Sequence, residues 1–208
     1  LIEDSQAWTK YPHHHNWFNK LYVAEQMGYV CGPSGLAPSI TDYYIVRPTY
    51  NLSGMGVGAD MIKIEADDAS KVPAGYFWCE FLPGYQYSAT YEFVHNKWKP
   101  ISCWQGDLAP RSFTKFTGWT RSTYVPPVPE QFNVLSDVKT INVEFKGNQP
   151  IEVHLRESPD PEYDEIIPVW ADTTTDSDVY LSRGYKYIES FDDANGFLQI
   201  PRLGFFVK

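Results

Sequence analysis

Ile141–Arg156 reads INVEFKGNQPIEVHLR. Two runs rich in β-branched and aromatic residues flank Gly147–Asn148, so the stretch predicts a β-hairpin. In its second strand Glu152, His154 and Arg156 alternate with Ile151, Val153 and Leu155. Residues two apart on a strand share a face, which predicts one polar face and one apolar face. Glu144 lies between Val143 and Phe145 on the first strand. Paired carboxylates suit Mg²⁺, which combines one or two of them with substrate phosphates. His154 adds a nitrogen ligand or a hydrogen bond. Arg156 offers a planar fork for a phosphoryl or carboxylate oxygen. A half-buried hairpin with an acidic outer face is the plainer alternative, with Arg156 paired to an acid across the strand.

Upstream, Asp42–Tyr50 predicts a strand, and IVRPTYNLSGMGVGA (45–59) ends it at Arg47 before glycines at 54, 56 and 58. Glycines let backbone N–H groups approach phosphates closely. The loop lacks GK[ST] and no strong helix follows, so it is neither a P-loop nor a dinucleotide fingerprint. Met61, Ile62 and Ile64 suggest a returning strand. Asn16–Met27 predicts a helix closed by Gly28, with Lys20 on it as an ordinary solvated side chain. Residues 1–15 read as an extended arm, and His13–His15 as a surface run.

Downstream of that loop, GYFWCEFL (75–82) predicts a buried strand and Pro83–Gly84 a turn. Tyr85–Val94 and Lys97–Gln105 then form a hairpin around His95–Asn96. Gly106–Pro129 reads as irregular, Pro129–Val138 as a helix, and residues 157–165 as an acidic loop. Short strands and turns fill the rest.

The chain has 208 residues, 43% hydrophobic and 16% aromatic, enough for a sizeable core. A net charge of -9, from 17 basic and 26 acidic residues, argues against a nucleic-acid surface or an anionic membrane surface. No apolar run approaches the roughly 20 residues of a membrane span. Cys31, Cys79 and Cys103 are odd in number and widely spaced, which suggests reduced thiols in the cytoplasm. No signal-peptide pattern precedes them. Without an initiating Met, the chain reads as processed or as a fragment.

Taken in order, four segments resemble motifs of the ATP-grasp superfamily. NKLYVAEQMGYVCGP (19–33) resembles that family's helix and loop, whose Lys contacts ATP phosphates; this position is Lys20. Arg47 stands where the family has a nucleotide-binding Lys, followed by a phosphate loop containing Gly54, Gly56 and Gly58. CEFLPGYQYSATYEFV (79–94) resembles the hinge strand of the adenine pocket, with Glu80, Phe81 and Leu82 at the hinge. INVEF and IEVHLR resemble the "vEF…iEvNpR" signature, which makes Glu144, Glu152 and His154 metal ligands and Arg156 the holder of the phosphorylated group.

The resemblance covers residues 16–158. It implies an α+β fold in which two small lobes with antiparallel sheets clasp a nucleotide. Residues 1–15 would be an arm and 16–208 a single domain, with lobes 16–78 and 79–208. The implied activity is ATP-dependent ligation of a small carboxylate substrate to an amine or thiol acceptor through an acylphosphate. Mg²⁺ would serve it, with Mn²⁺ also admitted, and Arg156 and Lys20 would be catalytic. Only about 15 residues precede the Lys20 helix, where the family has an N-terminal substrate domain, so the substrate would bind elsewhere or on a partner protein.

Two departures qualify this. Arg replaces Lys at 47, a fork in place of a point charge. His replaces Asn at 154, and imidazole favours softer metals than Mg²⁺. A non-catalytic nucleotide-binding subunit is therefore the alternative. A carbohydrate-binding or structural β protein, built on 15 Tyr and seven Trp, is the third reading.

Overall fold

The computed structural model describes residues 2–50, 56–68 and 70–208. Two antiparallel sheets organise them. The smaller contains β1 (Cys31–Pro33), β2 (Asp42–Pro48), β3 (Asp60–Ile64) and β4 (Tyr76–Glu80), in the order β1-β4-β2-β3. The larger contains β5 (Gln86–Val94), β6 (Lys97–Leu108), β7 (Phe116–Arg121), β8 (Thr140–Lys146) and β9 (Gln149–His154). It is completed by β10 (Glu165–Trp170), β11 (Lys186–Asp192) and β12 (Arg202–Val207), in the order β11-β12-β10-β7-β6-β5-β8-β9. Three short helices accompany them: α1 (Asp4–Lys10), α2 (Lys20–Gln26) and α3 (Ser177–Ser182). Among the described residues, no helix is long and apolar enough to cross a membrane.

Strand alternation divides the large sheet into two chemistries. Tyr87, Ala89, Tyr91, Val143, Phe145 and Val153 point to one face, where Ala7, Trp17, Val23, Phe132 and Leu135 close a buried core over them. Each of these residues is at most 7% exposed. Gln86, Ser88, Trp104 and Glu144 therefore point to the opposite face, toward the small sheet. The β5–β6 turn is made as its sequence suggests: His95 and Asn96 take φ of 52° and 61°, the paired left-handed geometry of a two-residue hairpin.

Several expectations need correction. Residues 1–15 are not an extended arm. Glu3 and Gln6 form a capping box that starts α1, and Ala7 is fully buried. A helix with a single core residue leaves no apolar periodicity to find. The helix expected over Asn16–Met27 is two elements, a 3₁₀ helix at Pro12–Phe18 and then α2. The break is Asn19, whose side chain accepts the Tyr22 N–H as an N-cap. Gly106–Pro129 is not irregular throughout, since β6 runs on to Leu108 and β7 follows. Pro129–Val138 contains only a 3₁₀ turn at Glu130–Leu135. β4 continues to Glu80, through the 78/79 division.

The alternation expected in β9 is also interrupted. Glu144 faces Glu152, but Phe145 faces Pro150, so Ile151 is an extra residue without a partner across the ladder. Such a bulge bends its strand and redirects one residue.

Candidate functional site

Lys20 opens α2, and its backbone N–H donates to the Thr49 carbonyl at 2.8 Å. That contact seats the first turn of α2 beside the end of β2. The Lys20 side chain is 7% exposed and its Nζ lies 3.1 Å from Glu152 Oε2, itself on a side chain 13% exposed. The solvated reading of Lys20 is thus overturned: the residue is half of a buried ion pair. Direct pairing of β8 with β9 sets Glu144 opposite Glu152. Gln86 on neighbouring β5 donates to Glu144 Oε2 at 3.0 Å. His154, two residues beyond Glu152, brings its Nε2 to 3.5 Å from Glu152 Oε1. One donor atom from each of Glu144, Glu152 and His154 lies within 4.8 Å of the others.

Arg47 reaches this cluster from the small sheet. It donates to the Ile151 carbonyl on edge strand β9 at 2.8 Å and lies 5.1 Å from the Phe77 ring centre. Burial works against its charge, opposed chiefly by Glu152. A guanidinium nevertheless stays a cation in proteins.

Burial pushes the Glu144 carboxyl up to about 7, and the facing Glu152 adds to the rise. Glu152 moves the other way. Burial raises it, but Lys20, His154 and Arg47 together outweigh that and hold it below the ordinary range. His154 is held above its ordinary value, because Glu152 and Asp4 outweigh the burial that opposes its charge. The two carboxyls thus move in opposite directions: Lys20 contacts Glu152 directly, whereas on Glu144 the pull of His154 and Lys20 does not offset burial and the facing carboxylate.

A cavity of about 490 Å³ lies against this cluster, between the two sheets. Lys20, Arg47, Glu144 and Glu152 line it, as do Glu80, Phe81 and Leu82 at the junction of the sheets. Its size is that of a small-molecule pocket, with cations and carboxylates at one side and apolar residues such as Ile45 and Leu82 elsewhere. Two carboxylates and an imidazole form a donor set that a divalent cation takes, the imidazole favouring Mn²⁺ and later metals over Mg²⁺.

The remaining sequence candidates are dispersed. Gly54 lies outside the described residues. Gly56 lines the cavity, yet a Cβ there would meet the Phe113 carbonyl oxygen at 2.3 Å. Gly58 packs against Tyr76 and Pro48. Positive φ and close packing against protein thus account for both glycines. Arg156 lies apart from the large cavity. Its guanidinium holds Asp4 through Nε and Nη2, both at 2.8 Å.

Sequence reasoning missed Asp4 and Gln86, along with an aromatic wall. Gln86 was within reach, since it lies in the 79–94 segment already singled out. Asp4 left no signal, because it comes 150 residues before its partner His154. Trp104, Trp119 and Trp170 also line the cavity. Trp119 lies so close over Gly106 that a Cβ there would be 2.7 Å from its ring.

No protein-family model and no curated protein matches the sequence. Solved structures do. N5-carboxyaminoimidazole synthetase from Staphylococcus aureus, complexed with ADP, superposes at a TM-score of 0.56 with 10% identity, over 94% of this chain and 68% of that one. The chain has the ATP-grasp fold. Two others lie below a TM-score of 0.5. An L-amino acid ligase from Bacillus licheniformis gives 0.47 at 13% identity, over 68% of this chain and 41% of that one. A putative ATP-grasp superfamily protein from Archaeoglobus fulgidus gives 0.37 at 14%, over 68% and 46%. This chain therefore spans less than half the length of those two.

Proposed function

We propose that this protein is an ATP-dependent ligase-like protein that holds a metal–nucleotide complex between its two sheets and activates a carboxylic acid for attack by an amine or thiol. The observation that carries this reading is the convergence of Lys20, Arg47, Glu144 and Glu152 on one cavity wall. The synthetase name of the structural neighbour at a TM-score of 0.56 points the same way.

In this reading Glu144, Glu152 and His154 hold the divalent cation, Mg²⁺ or Mn²⁺, which when bound neutralises phosphate charge. Lys20 and Arg47 steady the phosphate oxygens, and the Glu80–Leu82 segment lies along the base. The acid's carboxylate oxygen takes the terminal phosphoryl group and ADP leaves. The acceptor then attacks the carbonyl carbon of that acylphosphate and phosphate departs. Positioning and charge stabilisation carry such chemistry, so no nucleophilic side chain is required. The aromatic wall gives an apolar body on the acid a place beside the phosphates. The three free thiols support a reducing compartment such as the cytoplasm.

Calorimetry with Mg²⁺–ATP and Mn²⁺–ATP tests the reading. The wild-type protein binds, and Glu152→Ala loses the metal-dependent part of the affinity. No binding with either metal overturns it.

One observation favours a second reading, nucleotide binding without turnover: Asp4 occupies the fork of Arg156, the residue the resemblance gives to the substrate's phosphorylated group. ADP release with candidate acids and amines separates the two readings.

A further inference from the structure

We propose that Asp4, on α1, is a positioning residue of the metal site: it fixes His154 with Nε2 as the ligand atom and thereby biases the site toward Mn²⁺ over Mg²⁺. This rests on the metal reading above and adds to it a residue from outside the hairpin.

The geometry is a chain of three contacts. Arg156 clamps both oxygens of Asp4, Oδ1 through Nε and Oδ2 through Nη2, each at 2.8 Å. A bidentate guanidinium fixes the plane of a carboxylate as well as its place. Asp4 Oδ1 then lies 3.2 Å from His154 Nδ1. With Asp4 at that nitrogen, Nδ1 keeps its hydrogen, and a metal that takes the place of the proton at Nε2 would meet the ring's lone pair there. Nε2 is the atom that faces Glu152 Oε1 at 3.5 Å. Two ligands about 2.1 Å from one ion and at right angles to each other are about 3.0 Å apart, so a small closure brings both onto a single cation.

The arrangement is held firmly enough to matter. The side chains of His154 and Arg156 are 10% and 9% exposed, and that of Asp4 is 32% exposed. α1 is anchored by its capping box and by Ala7 in the core. A carboxylate behind a ligating imidazole sets the ring's orientation and raises its basicity. That strengthens a nitrogen ligand, which Mn²⁺ accepts more readily than Mg²⁺ does. Arg156 thereby becomes a brace for Asp4.

The test uses the full chain and the metals alone, without nucleotide. Mn²⁺ affinity is read from the electron paramagnetic resonance of free Mn²⁺, and Mg²⁺ affinity by calorimetry. Asp4→Asn is expected to weaken Mn²⁺ about 10–100-fold, the range for residues behind a ligand, and Mg²⁺ by much less. In a His154→Asn background, Asp4→Asn should cost nothing further. An unchanged Mn²⁺ affinity in Asp4→Asn overturns the proposal, as does an equal loss with His154 already replaced. Failure of the wild-type protein to bind either metal overturns the metal reading and this inference together. Mg²⁺ and Mn²⁺ binding that is insensitive to Asp4 overturns this inference alone. Should Asp4→Asn not fold, Arg156→Gln removes the brace and leaves the carboxylate. It should weaken Mn²⁺ in the same direction, and unchanged affinity would again overturn the proposal.

Discussion

Lys20→Met removes the cation that stabilises Glu152 while keeping most of the side-chain volume. Both partners are largely enclosed, at 7% and 13% side-chain exposure, so solvent screens the pair weakly. Breaking a buried pair on one side costs about 3–5 kcal/mol, because the remaining charge is uncompensated. Glu152 can escape by taking up a proton. From an ordinary value of 4.5 to a neutral buffer is about 2.5 pH units, so holding Glu152 neutral costs about 3.4 kcal/mol. Arg47 and His154 stay close to Glu152, which brings the expected loss to about 2–3 kcal/mol. For a chain of this length that lowers Tm by about 4–12 °C.

The pH dependence gives the sharper check. In the wild-type protein Glu152 is depressed, so its contribution is present above the unfolded value and is lost as pH falls. In the variant Glu152 is raised, so the variant's handicap is largest at neutral pH and shrinks toward about pH 5 to under about 1 kcal/mol. Urea unfolding followed by fluorescence of the seven Trp residues measures both limits. A neutral-pH loss below about 0.5 kcal/mol, or a loss that does not narrow on acidification, would refute the buried-pair argument.

Two further substitutions or treatments test other parts of the structure. Gly106→Ala places a methyl 2.7 Å from the Trp119 ring and should cost about 1–3 kcal/mol while shifting tryptophan emission; neither change would mean that Trp119 does not lie on the sheet. Burial pushes the Cys79 and Cys103 thiols up to about 12 and Cys31 to about 11, so no fast-reacting thiolate exists near neutral pH. A thiol reagent should therefore label the native protein slowly and all three cysteines quickly in denaturant; one rapid native equivalent would contradict the placement.

The hairpin at Ile141–Arg156 was legible because its residue types, turn and alternation agree with one another. The order of the four motif segments carried the rest of the fold. What stayed hidden depended on long-range contact. Lys20 looks like any surface lysine until Glu152, 132 positions later, is known to lie 3.1 Å away. Asp4 belongs to a helix with a single core residue, so no periodicity announced it. The bulge at Ile151 was invisible because one unpaired residue leaves the surrounding pattern unchanged. The strands of Gly106–Pro129 were obscured by proline and polar residues, and β7 pairs with β6 only through a register shift at Asp107–Leu108.

That bulge has a mechanical consequence. The Ile151 carbonyl belongs to the large sheet and Arg47 to the small one, so their hydrogen bond bridges the mouth between the sheets. A bond to a charged donor contributes about 1.5–3 kcal/mol, which puts a threshold of roughly tenfold to a hundredfold on gaping at this point. The bulged residue thus carries one of the ties between the sheets, alongside the bond from the Tyr29 hydroxyl, just before β1, to the Pro150 carbonyl.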